Sequence, residues 1–300
     1  MTEVSTHEPV LLKEVLQFLD PRPKQFVIDG TVNGGGHARA ILEKIMPGGT
    51  LLGVDWDAAM IAKKKPESKT EHYAHGNYAE LPAILKKEKL GLADGLLLDL
   101  GFSSEQLAQS GRGFSFGGAS ADEPLKMTYE DSQTPLAELL RMLSEKELAD
   151  VIYEFGGERR SRAIAKAIVM AGKQKRITTS GELAKIVRDA MPGNYEHGRI
   201  DAATRTFQAL RIYANDELGN LKKLLGALHE IVKPGGRVAI ISFHSLEDRI
   251  VKQAFQQGMK EKTLELLTKK PIVPTHEEEM QNPRSRSAKL RAAVVQRTNT

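Results

Sequence analysis

The sequence predicts an α/β chain: a Rossmann-like sheet of mostly parallel strands, interrupted by an all-helical insert. Three observations predict it. Short apolar runs at Phe26-Val27-Ile28, Thr50 to Val54 and Gly95 to Leu98 alternate with helical patterns, which is the rhythm of βαβ units. Each run ends in a carboxylate, Asp29, Asp55 or Asp99, and ligands of open α/β sheets lie beyond the carboxyl ends of the strands. The alternation stops near Phe102, gives way to helical patterns, and returns at Gly235 to Phe243.

Taken in order, Val10 to Leu16 reads as a short amphipathic helix, with Pro9 in its first turn. Pro21 and Pro23 end it, and the first strand follows. The stretch Gly30-Thr31-Val32-Asn33-Gly34-Gly35-Gly36-His37 is a glycine loop that feeds a helix from Ala38 through Ile45. Pro47-Gly48-Gly49 separates that helix from the second strand. A helix is expected over Trp56 to Lys65, stopped by Pro66, and the stretch Glu71 to Tyr78 reads as a third strand running into a loop. Tyr78 is a candidate to pack on a bound nucleoside or, equally, to fill the core. Apolar spacings of three and four predict helices over Thr134 to Leu143, Glu145 to Phe155, Arg159 to Ala171 and Ser180 to Met191. The expected organisation is a first sheet segment (1–107), a helical substrate-handling insert (108–214), and a second sheet segment with a basic tail (215–300).

Glycine is needed in the loop after the first strand because a Cβ would block close approach of a ligand or forbid the backbone angle. An acidic residue about 20 positions beyond such a loop, here Asp55, is where a Rossmann-like half-site holds ribose hydroxyls. A structural turn and a nicotinamide or flavin site are the competing readings. The dinucleotide fingerprint is incomplete, since Arg39 stands where a third small residue belongs. A carboxylate just before the glycines suits a nucleoside without a pyrophosphate, so the pattern leans towards a methyl donor.

Composition narrows the chemistry. Three hundred residues with 40% hydrophobic content bury a substantial core. No apolar run approaches a membrane span, and Met1-Thr2-Glu3-Val4 lacks a signal pattern, so a cytoplasmic setting is expected. The absence of cysteine removes disulfides, thiolate–zinc sites and cysteine nucleophiles. His72 and His75 are the nearest histidine pair and do not form a credible metal set, so no metal is expected. The net charge of +4 points weakly to nucleic acid. Basic residues at Arg159, Arg162, Lys166, Lys173, Lys175 and Arg176, and an acid-free tail from Pro283 to Thr300, strengthen that reading. Phe114, Phe116 and Tyr129 could stack an extruded base, although packing against the core is the simpler role.

Six motifs in order resemble one family. They are Asp29 to His37, Leu97 to Ser104, Arg112-Gly113-Phe114-Ser115-Phe116, Ala203 to Ile212, Ile241 to Arg249, and Asn282 to Ser287. Together with His7 to Leu12 they resemble the bacterial 16S ribosomal RNA cytosine-N4 methyltransferases, the MraW/RsmH family, over nearly the whole chain. The resemblance implies a class I (Rossmann-like) methyltransferase sheet with an inserted all-helical domain. It also implies S-adenosylmethionine as donor and a cytidine in the decoding region of the small ribosomal subunit as acceptor. Carried over by motif, the donor-binding residues are Gly34, Gly35, Gly36, His37, Asp55, Tyr78, Asp99 and Gln106. Tyr78 stands where the family usually has phenylalanine. At Pro124-Leu125-Lys126-Met127-Thr128-Tyr129, Lys126 replaces an acid and Thr128 an arginine; Ile200-Asp201-Ala202 stands where His-Pro is usual.

Methyl transfer is a displacement at a sulfonium carbon, for which alignment supplies much of the rate. The cytosine amine is a poor nucleophile, so an acceptor on its N–H groups helps localise the lone pair. Asp99, or the Leu100 carbonyl, is the candidate for that role, and His244 is the second candidate. Arg205, Arg249, Arg284 and Arg286 are the candidate RNA contacts, with the small subunit and its 16S RNA as the expected partner.

Overall fold

A computed structural model describes residues 9–101, 111–193, 195 and 201–297. The chain divides into two compact units, Met1–Gly101 with Leu218–Thr300, and Phe102–Glu217. Among the described residues no helix is long and apolar enough to cross a membrane.

The first unit is built on β1 (Phe26–Asp29), β2 (Thr50–Asp55), β3 (Glu71–His75), β4 (Ala93–Asp99), β5 (Val232–Ser242), β6 (Leu264–Leu266) and β7 (Lys289–Val295). Their order is β3-β2-β1-β4-β5-β7-β6. The β1–β2, β2–β3, β1–β4 and β4–β5 pairs are parallel, while β7 runs antiparallel to both its neighbours. Side chains alternate across this sheet as the pleat requires. Ile28, Leu52, Leu96, Leu98 and Ile240 share one core with Leu81, Leu224 and Phe255. Val27, Leu51, Leu97, Ala239 and Ile241 share another with Val15, Leu19, Ile41 and Ile45. A sheet covered on both faces explains why its strands read as unbroken apolar runs. Helix α1 (Leu12–Leu19) precedes β1, and α2 (Gly36–Ile45), α3 (Ala58–Ala62) and α4 (Leu81–Glu88) connect the early strands.

Two expectations change here. The helix after β2 is shorter than Trp56 to Lys65: the Asp57 side chain accepts from the Ala59 N–H and caps the helix there. At its far end Lys63 and Lys65 are exposed and bury nothing that would prolong it. The basic tail is also no solvated arm over its full length, because Lys289–Val295 is the inner strand β7. Arg291 lies in that strand, 7% exposed, with its Nε 2.7 Å from Asp248 Oδ1. Basic composition concealed a strand whose side chains other than Lys289 and Arg291 are apolar.

The second unit carries α5 (Leu136–Met142), α6 (Glu145–Gly156), α7 (Ser161–Gln174), α8 (Ser180–Asp189) and α9 (Ala203–Ala214). Its core gathers Leu148, Ile152, Ile164, Ile168, Leu183, Val187, Phe207 and Leu210. Capping boxes start two of the helices, Ser144 with Glu147 and Thr179 with Glu182, each satisfying two otherwise orphaned N–H groups. Phe116 packs on Phe207 (ring centroids 4.5 Å apart) and Phe114 on Tyr129 (5.4 Å). The three aromatics considered for base stacking therefore take part in the packing of this unit. Between them the 124–129 segment is stapled by Asn215, 1% exposed. Its Oδ1 accepts from the Tyr129 N–H and its Nδ2 donates to the Met127 carbonyl, at 3.1 and 2.9 Å. Met127 is fully buried with φ of 54°, a left-handed conformation uncommon for its type. Thr128 is buried, whereas Lys126 is turned outward to Asp131.

Candidate active site

The glycine loop and three strand ends converge. In the register, Asp29 stands opposite Gly53 on β2 and Leu97 on β4, so β1 places its carboxylate between those of Asp55 and Asp99. All three occupy the carboxyl edge, because each ends an apolar run of a parallel strand. After β1 the chain turns through Asn33 at φ 43° and Gly35 at φ 87°, and Gly35 is the residue before α2. A glycine there costs nothing, whereas a Cβ would be strained. Nothing lies within 4 Å of the place a Cβ on Gly34 would occupy, so the outer side of the loop is open.

Asn33 knits the edge together. Its N–H donates to Asp55 Oδ2 at 2.8 Å, and its Nδ2 donates to the Gly101 carbonyl at 3.4 Å. Sequence reasoning passed over this residue; its signal is that asparagine, next to glycine, tolerates positive φ best. Asp55 is 4% exposed, and its other oxygen accepts from the Asp57 N–H at 2.9 Å. Burial nonetheless pushes its carboxyl up to about 6, against the lowering effect of those two N–H groups. Asp29 is more extreme. Oδ1 accepts from the Thr31 N–H at 3.2 Å, while Oδ2 is buried with no hydrogen-bond partner. Burial first, then the charges of Asp99 and Asp55, lift it to about 7. An orphaned buried carboxylate oxygen is rare enough to need a reason.

His37 and Asp99 form a second layer. His37 Nε2 lies 3.0 Å from the Val10 carbonyl, which can only accept, so that nitrogen carries the proton. Nδ1 is thereby left facing Asp99 Oδ2 at 3.6 Å. Asp99 is fixed further: Oδ1 accepts from the Gly101 N–H at 3.1 Å, and its own N–H donates to Thr31 Oγ1 at 2.6 Å. Tyr78 opens the 3-10 turn Tyr78–Glu80, which Asn77 caps, and its Cβ lies 3.5 Å from where a Cβ on Gly30 would stand. The structure thus brings Gly34, Gly35, Gly36, His37, Asp55, Tyr78 and Asp99 to one edge. Gln106 lies outside the described residues.

Of the remaining expected residues, His244 follows the carboxyl end of β5, whose Ile241 stands opposite Asp99 on β4, and the arginines lie on other elements. His244 precedes α10 (Ser245–Lys260), where Nδ1 accepts from the Glu247 N–H at 3.4 Å. Its Nε2 lies 3.1 Å from Glu247 Oε1 but is not aligned as a hydrogen bond. This is a helix cap built on a ring nitrogen. Arg249 on the same helix, and Arg284 and Arg286 on the 3-10 turn Pro283–Ser287, are exposed. Arg205, in the helical unit, donates to the Tyr195 hydroxyl at 3.1 Å and lies 3.6 Å from the fully buried Glu158.

The donor implied by the motifs, S-adenosylmethionine, is a sulfonium cation that carries a ribose diol. Buried carboxylates with unfilled acceptor capacity and a bare glycine backbone fit such a ligand. Comparison with known proteins points the same way. A protein called ribosomal RNA small subunit methyltransferase H in Deinococcus radiodurans is 45% identical over 287 residues, covering 95% of this chain and 88% of its own. Proteins of the same name in Syntrophus aciditrophicus and Thermotoga neapolitana are each 43% identical, covering 96% of this chain and 97% and 96% of their own. Residues 4–296 match the MraW methylase family, and the chain belongs to that family.

Proposed function

We propose that this protein methylates 16S ribosomal RNA of the small subunit, using S-adenosylmethionine, at N4 of a cytidine in the decoding region, and that it acts in the cytoplasm. The observation that carries the reading is the strand-edge trio Asp29, Asp55 and Asp99 around an open glycine loop, in a chain of the methylase family. When bound, the donor supplies an electrophilic methyl group on sulfur. The backbone of Gly34, Gly35 and Gly36 permits its close approach, and Asp55 accepts from its ribose. Tyr78 packs beside its base, His37 lines the same edge beside Asp99, and Gln106 is the further donor-binding residue.

Asp99 is the residue proposed to accept a hydrogen bond from the cytosine amine, sharpening its lone pair as the methyl group transfers. His244 is the second proposed catalytic residue; its engagement with Glu247 gives Asp99 the stronger claim. Arg249, Arg284 and Arg286 are proposed to contact phosphates as exposed cations, with Arg205 acting from the helical segment 108–214, to which substrate handling is assigned.

Incubation of unmodified small subunits with methyl-labelled donor, followed by nucleoside analysis, tests this reading. Label in N4-methylcytidine is the expected result. Label in another nucleoside or in protein would keep the chemistry and overturn the target.

A further inference from the structure

Lys63, Lys64 and Lys65 form a run that reads as solvated surface, yet the structure treats them differently. The outer two are exposed and Lys64 is half-buried. A turn after α3, in which the Lys64 N–H donates to the Ile61 carbonyl at 2.9 Å, sends the middle lysine inward. Its Nζ lies over the glycine loop, 2.7 Å from where a Cβ on Gly35 would stand. Gly35 is the residue before α2, so the ammonium sits at the positive end of a helix dipole. What makes the place tolerable is the set of carboxylates around it. Both Asp29 and Asp55 are held lower by Lys64 than they would otherwise be. Asp29 Oδ2, buried and unpartnered, supplies an uncompensated acceptor at the same edge.

A positive group of the protein therefore occupies the loop that the proposed function assigns to a positive ligand. We infer that Lys64 is a resident counter-cation of the donor site, which neutralises the aspartate edge before the sulfonium arrives and competes with the donor for it. The consequence is a discrimination role. S-adenosylmethionine carries a positive sulfur, whereas the demethylated product S-adenosylhomocysteine has a neutral thioether and the same remaining groups. An ammonium in the loop penalises the first and spares the second, so Lys64 sets the ratio of donor to product affinity.

The inference rests on the donor-site reading, and calorimetric titration of the full chain with each ligand separates the two. Lys64→Gln is expected to tighten S-adenosylmethionine by about tenfold, as loss of one like charge at a partly buried site implies, and to change S-adenosylhomocysteine by less than about twofold. Lys64→Arg keeps the charge and should keep the wild-type ratio; Lys63→Gln and Lys65→Gln, at exposed positions, should do the same. Parallel weakening of both ligands by Lys64→Gln would overturn the inference and make the lysine an anchor for the shared carboxylate. No change in either ligand would overturn it too. A wild-type chain that binds neither ligand would overturn the donor-site reading itself.

Discussion

The helical unit and the carboxyl edge of the sheet treat buried carboxylates in opposite ways. In the helical unit Glu158 is fully buried, but every polar contact it needs is supplied by the protein: the Arg160 N–H, the Tyr195 hydroxyl and the Arg205 guanidinium. Glu217, half-buried, is matched by Arg211 at 2.9 Å. At the edge of the sheet, the hydrogen bonds to Asp29 and Asp55 come from backbone N–H groups, one oxygen of Asp29 accepts none, and the nearby cation is Lys64. A carboxylate matched by its own chain is structure. One left short by its own chain carries its desolvation cost within the fold.

The sharpest way to break this contrast is to turn a carboxyl into an amide in each unit. Asp29→Asn should stabilise the protein. The folded state holds the Asp29 proton up to about pH 7, while an unfolded carboxyl releases it near 4. The native state thus binds the extra proton in that window, and stability falls as pH rises through it. Chemical denaturation should find the variant more stable than wild type by about 2–4 kcal/mol at pH 8, with the gain gone at pH 4. Calorimetry should find its donor affinity reduced. A destabilised variant at pH 8 would mean that Asp29 is matched by something within the fold.

Glu158→Gln is the same chemical change with the opposite expected sign. It leaves Arg205 beside a neutral group and should cost about 1–3 kcal/mol in the same denaturation experiment, without altering donor affinity. A neutral or stabilising result would erase the distinction between the units. Ser144→Ala is the smallest test. It removes half of a solvent-exposed capping box and should cost about 1 kcal/mol, independent of ligand.

Legibility in the sequence followed the same division. Strands β1, β2 and β4 announced themselves because a parallel sheet covered on both faces needs continuous apolar runs, and their terminal aspartates followed directly. Helices of the insert were legible from their apolar spacing. What stayed hidden depended on tertiary partners. Lys289–Val295 reads as basic because Lys289 and Arg291 are counted before their partner Asp248, 41 and 43 residues away, is known. Lys64 is indistinguishable from its neighbours until a turn directs it inward. His244 has the composition of a catalytic group and the geometry of a cap, a difference set by one backbone N–H.

The position of β7 has a consequence for synthesis. This strand follows the other six in sequence and lies between β5 and β6, and both pair with it. Until it is made, one long edge of β5 has no partner and β6 has no neighbour at all, the condition that invites aggregation or proteolysis. A chain without Lys289–Val295 therefore cannot close its sheet, however complete its glycine loop and aspartates are.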